Sequence, residues 1–130
     1  MANPNIVNVT TIYGTTTYYT PSGTSAVVLL PNAASSGKVF KINQIMVSNV
    51  TSSAATATVQ IYTNGSVAQG SAPSGGTAYQ IISTVSVPAN ASLIAVDKTT
   101  SFYLQEGKSI SITSGTANKL VFTVSYDDIS

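Results

Sequence analysis

Between Ala55 and Tyr62 the chain alternates without a break: Ala55, Ala57, Val59 and Ile61 fall on one side, and Thr56, Thr58 and Gln60 on the other. A period of two marks a strand with one buried and one wet face, and it argues against a helix over the same residues. The pattern recurs. Leu120, Phe122, Val124 and Tyr126 alternate with Val121, Thr123 and Ser125. Tyr79, Ile81, Ser83, Val85 and Val87 form a third series on one expected face, and Ile110 with Ile112 a fourth. Helical periodicity is nearly missing, and Thr, Val, Ile and Tyr are residues that pack well on a pleated surface.

Breakers lie between these runs. Pro31-Asn32 through Ser36-Gly37 separates Ala26–Leu30 from Val39–Val50, and Pro88-Ala89-Asn90 separates Tyr79–Val87 from Ser92–Val96. Glu106-Gly107 reads as a tight turn between Phe102–Leu104 and Ser109–Thr113, and Ser114-Gly115 through Asn118 leads into Lys119–Tyr126. Each supplies tolerance of positive φ or a missing donor where a strand should stop. Within Val39–Val50 the apolar parity switches from Phe40 and Ile42 to Ile45 and Val47. One extra residue near Asn43-Gln44 would do this, so a β-bulge or a strand crossing between sheets is expected there. Eight or nine short strands at regular spacing predict one all-β domain, an antiparallel β-sandwich or jelly roll, with a small closed barrel as the alternative.

The sandwich is assigned to residues 25–130. Residues 1–24 are uncharged and rich in Thr and Tyr, with Ile6, Val7, Val9 and Ile12 in a strand-like run. They are expected to form either an arm that adds a strand to a neighbouring subunit or an ordinary first edge strand. Residues 63–78 are too rich in Gly and Ser for regular structure and long for a hairpin loop, so a flexible exposed excursion is predicted.

Charge narrows the function. Only five lysines and four carboxylates occur in 130 residues, and Ile42–Val96 holds no ionisable side chain except tyrosines. Soluble domains carry about a quarter charged residues. A surface without like-charge repulsion is poorly defended against association, which favours a chain covered by copies of itself or by a larger assembly. Arginine is absent and the formal net charge is +1, so a phosphate backbone finds little to hold it; nucleic acid is not an expected partner. No run approaches the ~18 apolar residues of a membrane span, and Met1–Asn5 lacks the start of a secretory signal. Synthesis in a cytoplasm, with the final location reached by assembly, is expected.

The catalytic repertoire is thin. Without histidine or cysteine the chain lacks the commonest general base, the thiolate nucleophile and the preferred zinc ligands. Its many serines have no GxSxG elbow, and Ser74-Gly75-Gly76-Thr77 lacks the lysine of a phosphate loop. Asp97, Glu106, Asp127 and Asp128 read as turn and tail charges, not as a paired acid and base, and no acidic spacing marks a calcium loop. No enzyme, cofactor or metal is expected. Sequons begin at Asn8, Asn49, Asn64 and Asn90, as chance allows in this composition.

Tyrosine is the remaining recognition residue. Tyr13, Tyr18 and Tyr19 cluster near the N-terminus, Tyr62 and Tyr79 flank the long loop, and Tyr126 shares the Phe122 face and reads as core. The β-prone segment 5–20 has none of the lysines or prolines that blunt natural edge strands, so Ile6, Val9, Ile12, Tyr13, Tyr18 and Tyr19 are expected to lie in an interface.

From Val39 onward the chain has a recognisable cadence: VFKINQIMVSNVTSSAATATVQIY, then IISTVSVPANASLIAV, then FYLQEGKSISITSGTANKLVFTVSYDDIS. It resembles the small β-sandwich virion proteins of tailed bacteriophages, including those of cyanobacterial phages. Those proteins share an I-x-V-x-N strand, an Ala/Thr-rich strand, a VPANAS turn, an L-x-E-G-D-x-I turn and a closing VTVSY strand. Lys108 stands where they often carry Asp. The resemblance covers about two thirds of the chain, and the start MANPNIVNVTTIYG is similar to theirs too. It implies a non-enzymatic virion component, foremost a capsid decoration (cement) protein on the outer head surface. Such a protein would bind the major capsid protein as a homo-oligomer, with a trimer favoured. Neck, tail or fibre components are similar possibilities, and a carbohydrate- or receptor-binding module using the tyrosines and the long loop is the rival from another class.

Overall fold

A computed structural model describes residues 7–130. Nine strands follow in order: β1 (Ile12–Tyr19), β2 (Val27–Asn32), β3 (Val39–Asn49), β4 (Ala55–Tyr62), β5 (Ala78–Val87), β6 (Ser92–Val96), β7 (Phe102–Leu104), β8 (Lys108–Ser114) and β9 (Leu120–Ile129). One sheet runs β1-β9-β3-β6, with β7 also pairing β3; the other runs β2-β8-β4-β5. All pairs are antiparallel. β6 and β7 bond successive parts of β3, so together they act as one interrupted strand. The pairing is then first with last: β1 with β9, β2 with β8, β3 with β6/β7, and β4 with β5. That is a long antiparallel ribbon folded over on itself, the jelly-roll form of the predicted sandwich.

The core lies where the inner faces meet. Leu29, Ile42, Ile45, Val59, Ile110, Ile112 and Phe122 are all fully buried. The bulge in β3 falls where the parity switch placed it. Ile42 opposes Tyr126 and Gln44 opposes Ser125, leaving Asn43 unpaired between them, so Phe40 and Ile42 on one side and Ile45 and Val47 on the other all face inward. The turns hold positive φ as expected, at Ser35, Gly37, Asn90, Gly107 and Asn118.

Two expectations need correction. Among the described residues, the first strand does not include Val7 or Val9. It begins at Ile12 and takes the Thr- and Tyr-rich residues through Tyr19, while Ile6 lies outside the described residues. Nor does Tyr79–Val87 keep a single face. Register breaks opposite Val59, and Thr84 adopts φ 52°, so Val85 and Val87 oppose inner residues Ala57 and Ala55 while Ile82, not Ile81, opposes Val59.

Residues 63–77 form no strand, yet they are folded down onto the second sheet. On β8 and β4, Ser109, Ser111, Gln60 and Tyr62 alternate with core residues and therefore point away from the core, but all four are buried. The loop bonds two of them directly. Ser109 Oγ donates to the Asn64 carbonyl (2.9 Å), and Gly76 N donates to Tyr62 Oη (3.0 Å). A Cβ at Gly65 would run into the carbonyls of Asn32 and Lys108, so only glycine fits there. The Asn64 amide closes the loop, accepting from Ser66 N and donating to the Ser74 carbonyl.

Candidate interaction surface

A sandwich of two open sheets has four strand edges, each a row of backbone donors and acceptors that natural proteins cover, bend or interrupt. Three edges here are managed. The outer edge of β2 is taken by the long loop, with Val28 N donating to the Ser71 carbonyl and Gly70 N to that of Val28, both at 2.9 Å. β5 is bulged and turned at Thr84. The β6/β7 edge is broken by a 3-10 turn, Lys98–Thr100, whose capping box uses the Asp97 carboxylate and the Thr100 hydroxyl. β1 differs. It pairs with β9 over eight consecutive residues without a shift, and it contains no lysine, proline or bulge.

The hydrogen-bond phase shows which β1 groups look outward. Thr11 and Ser130 exchange both of their backbone bonds (3.0 Å each), so the odd residues of β1 bond β9. The N–H and C=O groups of Ile12, Gly14, Thr16 and Tyr18 therefore point to the open edge. Tyr18 is the exception in part: Gln69 Nε2 donates to its carbonyl (3.4 Å), to Thr17 Oγ1 (3.1 Å) and to the Leu29 carbonyl (2.8 Å). Gln69 thus pins the loop across the seam between β1 and β2. Among the described residues, nothing bonds the outward groups of Ile12, Gly14 and Thr16.

The residues singled out in the sequence do not act as one patch. Ile12, Tyr13 and Tyr18 are exposed, at 58%, 63% and 69%. Val9 is half-buried ahead of the strand. Tyr19 is half-buried, packs on the core of its own chain and lies under Gly70. Tyr62 is buried under the loop, Tyr79 is exposed on β5, and Tyr126 stacks at a tilt on Phe40 with ring centres 4.9 Å apart. Burial, reinforced by the Asp128 carboxylate, raises the Tyr126 hydroxyl above its usual pKa.

Charge is polarised. Six of the nine charged residues gather at one end of the sandwich: Lys38 pairs with Asp128 (3.1 Å), Glu106 accepts from Gly37 N (2.8 Å), Lys41 opposes Asp127 across β3–β9, and Lys108 opposes Asn32. At the other end the connections are Ser, Thr, Gly, Asn and Ala with Pro21, Pro88 and the exposed Val50, and Lys119 is the lone charge, bonded to Ser53 Oγ. Those connections are tied together: Asn118 N donates to the Pro21 carbonyl, Asn90 N to that of Thr51 and Gly115 N to that of Thr56. Sequon residue Asn49 is buried here, its side chain bonded to Thr51, Ser53 and Val87.

Beside the β3 bulge, an open depression of about 580 Å³ is lined by Asn43, Gln44, Asp97, Lys98, Thr99 and Ser125. The Asp97 carboxylate is occupied there by the Thr99 hydroxyl and amide, which hold it below its ordinary pKa. Among the described residues, no three His, Cys, Asp or Glu side chains converge on a possible metal site, and no helix is long and apolar enough to cross a membrane. No protein-family model matches the chain, and no curated protein matches it.

Proposed function

We propose that this chain is a structural protein of a tailed-phage virion, without enzymatic activity, that decorates the outer surface of the head. It would bind the major capsid protein and bridge adjacent capsomers as a homo-oligomer, so that modest contacts per copy add up. The observation that carries this reading is the charge-poor surface: one end holding most of the charges, an opposite end whose lone charge is Lys119, and an exposed edge strand bearing Ile12, Tyr13 and Tyr18. The cadence of strands and turns from Val39 onward supports the virion class. The carboxylates add support, since Asp97, Glu106 and Asp128 are already engaged in a cap, a turn and an ion pair. A virion reconstruction tests the proposal: density for this chain outside the head, in many copies, is expected. Density confined to neck or tail would move it there, and a virion lacking the chain would overturn the whole assignment.

A carbohydrate- or receptor-binding module is the second reading, favoured by the amides and hydroxyls of the depression at Asn43, Gln44, Thr99 and Ser125. Binding on a glycan array that disappears in Gln44→Ala would promote it; an array without signal would remove it.

A further inference from the structure

We infer that the open edge of β1 pairs with the same edge of a second copy, antiparallel, about a two-fold axis at Gly14. This refines the assembly reading above by naming one partner surface, and it is testable on the isolated protein.

The outward groups select the register. Ile12, Gly14 and Thr16 present both N–H and C=O to the edge, while the Tyr18 carbonyl is held by Gln69. A two-fold axis normal to the sheet pairs residues of equal parity, because the outer face must stay outer in both copies. Pairing centred on Gly14 sets Ile12 opposite Thr16 of the second copy and Gly14 opposite Gly14, so each outward group meets its complement and Gln69 is undisturbed. A register one step onward would set Ile12 opposite Tyr18 and compete with Gln69. The edge suits a copy of itself in charge as well: β1 carries no ionisable group except tyrosine, and its nearest carboxylate neighbour on the outer face, Asp127 opposite Gly14, has Lys41 on its other side. An added Cβ at Gly14 would meet nothing within 4 Å, so the axis is clear. The other three edges are covered, bulged or interrupted, which leaves this one as the site where strand addition needs no rearrangement. Five residues a side bury less than the ~1,000 Å² of a stable solution interface, so the pair is weak alone and gains from many copies held on one surface.

Cysteine crosslinking reads the register directly, because the native chain has no cysteine. Across the axis the two Gly14 Cα atoms would be about 5.5 Å apart, within disulfide range, whereas two Ile12 Cα atoms would be offset by roughly 13 Å along the strands. Under mild oxidation Gly14→Cys should form a covalent dimer about tenfold or more faster than Ile12→Cys or Ser22→Cys, since only the first meets disulfide geometry. Adding Thr16→Pro, which removes an outward donor, no backbone bond to β9 and only the exposed Thr16 Oγ1–Ser125 Oγ contact (3.1 Å) on that side, should abolish that dimer while leaving the melting transition within a few degrees. Equal crosslinking at the three positions, or an oligomer unaffected by Thr16→Pro, overturns the inference. Should Thr16→Pro fail to fold, the three single-cysteine rates still decide it. A virion lacking the chain would sink the proposed function and leave this result standing.

Discussion

Replacing Gln69 by alanine removes one amide that joins three parts of the chain. Its Nε2 has two hydrogens: one serves the Leu29 carbonyl (2.8 Å), and the other is shared between Thr17 Oγ1 (3.1 Å) and the Tyr18 carbonyl (3.4 Å). Two such bonds contribute roughly 1 kcal/mol each, and releasing the side chain returns about 1 kcal/mol of rotamer entropy, so the net loss is about 1 kcal/mol. For a chain of this size that lowers the melting temperature by about 3–5 °C. Urea unfolding measures the loss, and amide exchange should locate it: the Gly70 and Val28 amides, which pair the loop with β2, should exchange faster while those of β9 do not. Gln69→Glu should cost more at neutral pH, because it keeps the length but turns a carboxylate toward the Leu29 carbonyl. Part of that loss should return in acid, where the protonated group regains a donor. Stability unchanged within about 0.3 kcal/mol in Gln69→Ala, with unaltered exchange at Gly70, would refute the pinning role, since losing two hydrogen bonds should exceed that margin.

Ser111 Oγ is buried with no hydrogen-bond partner among the described residues, so Ser111→Ala should stabilise the fold by about 1 kcal/mol in denaturant unfolding; a loss of stability would reveal a missed partner. Gly65→Ala should destabilise by more than about 2 kcal/mol, since its Cβ meets two fixed backbone carbonyls, and a mild effect in the same assay would show that the loop can lift. The Asp97 carboxyl is held below its ordinary 3.8, so its cap contributes above that pH and is lost as pH falls through the lower folded value. The Thr99 amide shift, followed by NMR, should titrate below 3.8, and the transition should vanish in Asp97→Asn. The Tyr126 pKa is raised above 10.0, so its contribution holds below pH 10 and is lost as pH rises through the higher folded value. Tyr126→Phe should therefore soften alkaline unfolding, and an unchanged alkaline midpoint would count against this.

Most strands were legible because each buries one face against a shared core, which forces a period of two into the sequence. The bulge at Asn43 was legible for the same reason: a core strand that must keep Phe40, Ile42, Ile45 and Val47 inside records the extra residue as a parity switch. β1 was misplaced because it is an edge strand. Ile12, Gly14, Thr16 and Tyr18 face solvent, only Tyr19 packs firmly inward, and pairing with β9 is through backbone, so hydrophobic weight pointed instead to Ile6–Ile12. In β5 the change of face occurs at Thr84, a β-branched residue that carries no turn signal.

The long loop and the charge distribution were illegible for a different reason. Gly- and Ser-rich composition describes what a segment cannot build for itself, whereas 63–77 is ordered by what it lies on. Its anchors are carbonyls of Leu29 and Ser74, amides of Asn64 and Gln69, and the missing Cβ of Gly65, none of which leaves a period. Lys38, Lys41, Glu106, Lys108, Asp127 and Asp128 are scattered through the sequence and meet only because the ribbon folds over.

These two hidden features act together. The loop removes the β2 edge and the Tyr18 carbonyl from circulation, and the gathered charges leave the sheet edges almost neutral. What remains available is a five-residue stretch of bare backbone flanked by Ile12, Tyr13 and Tyr18. Backbone pairing is satisfied by another strand of matching phase and needs no charge partner, so its affinity depends little on salt. A protein that must bind neighbours weakly, repeatedly and in one register is well served by such an edge. A protein that must select among ligands by charge would need ionic groups converging on one site, whereas six of this chain's nine lie at one end and Asp97, Lys98 and Lys119 stand apart from them.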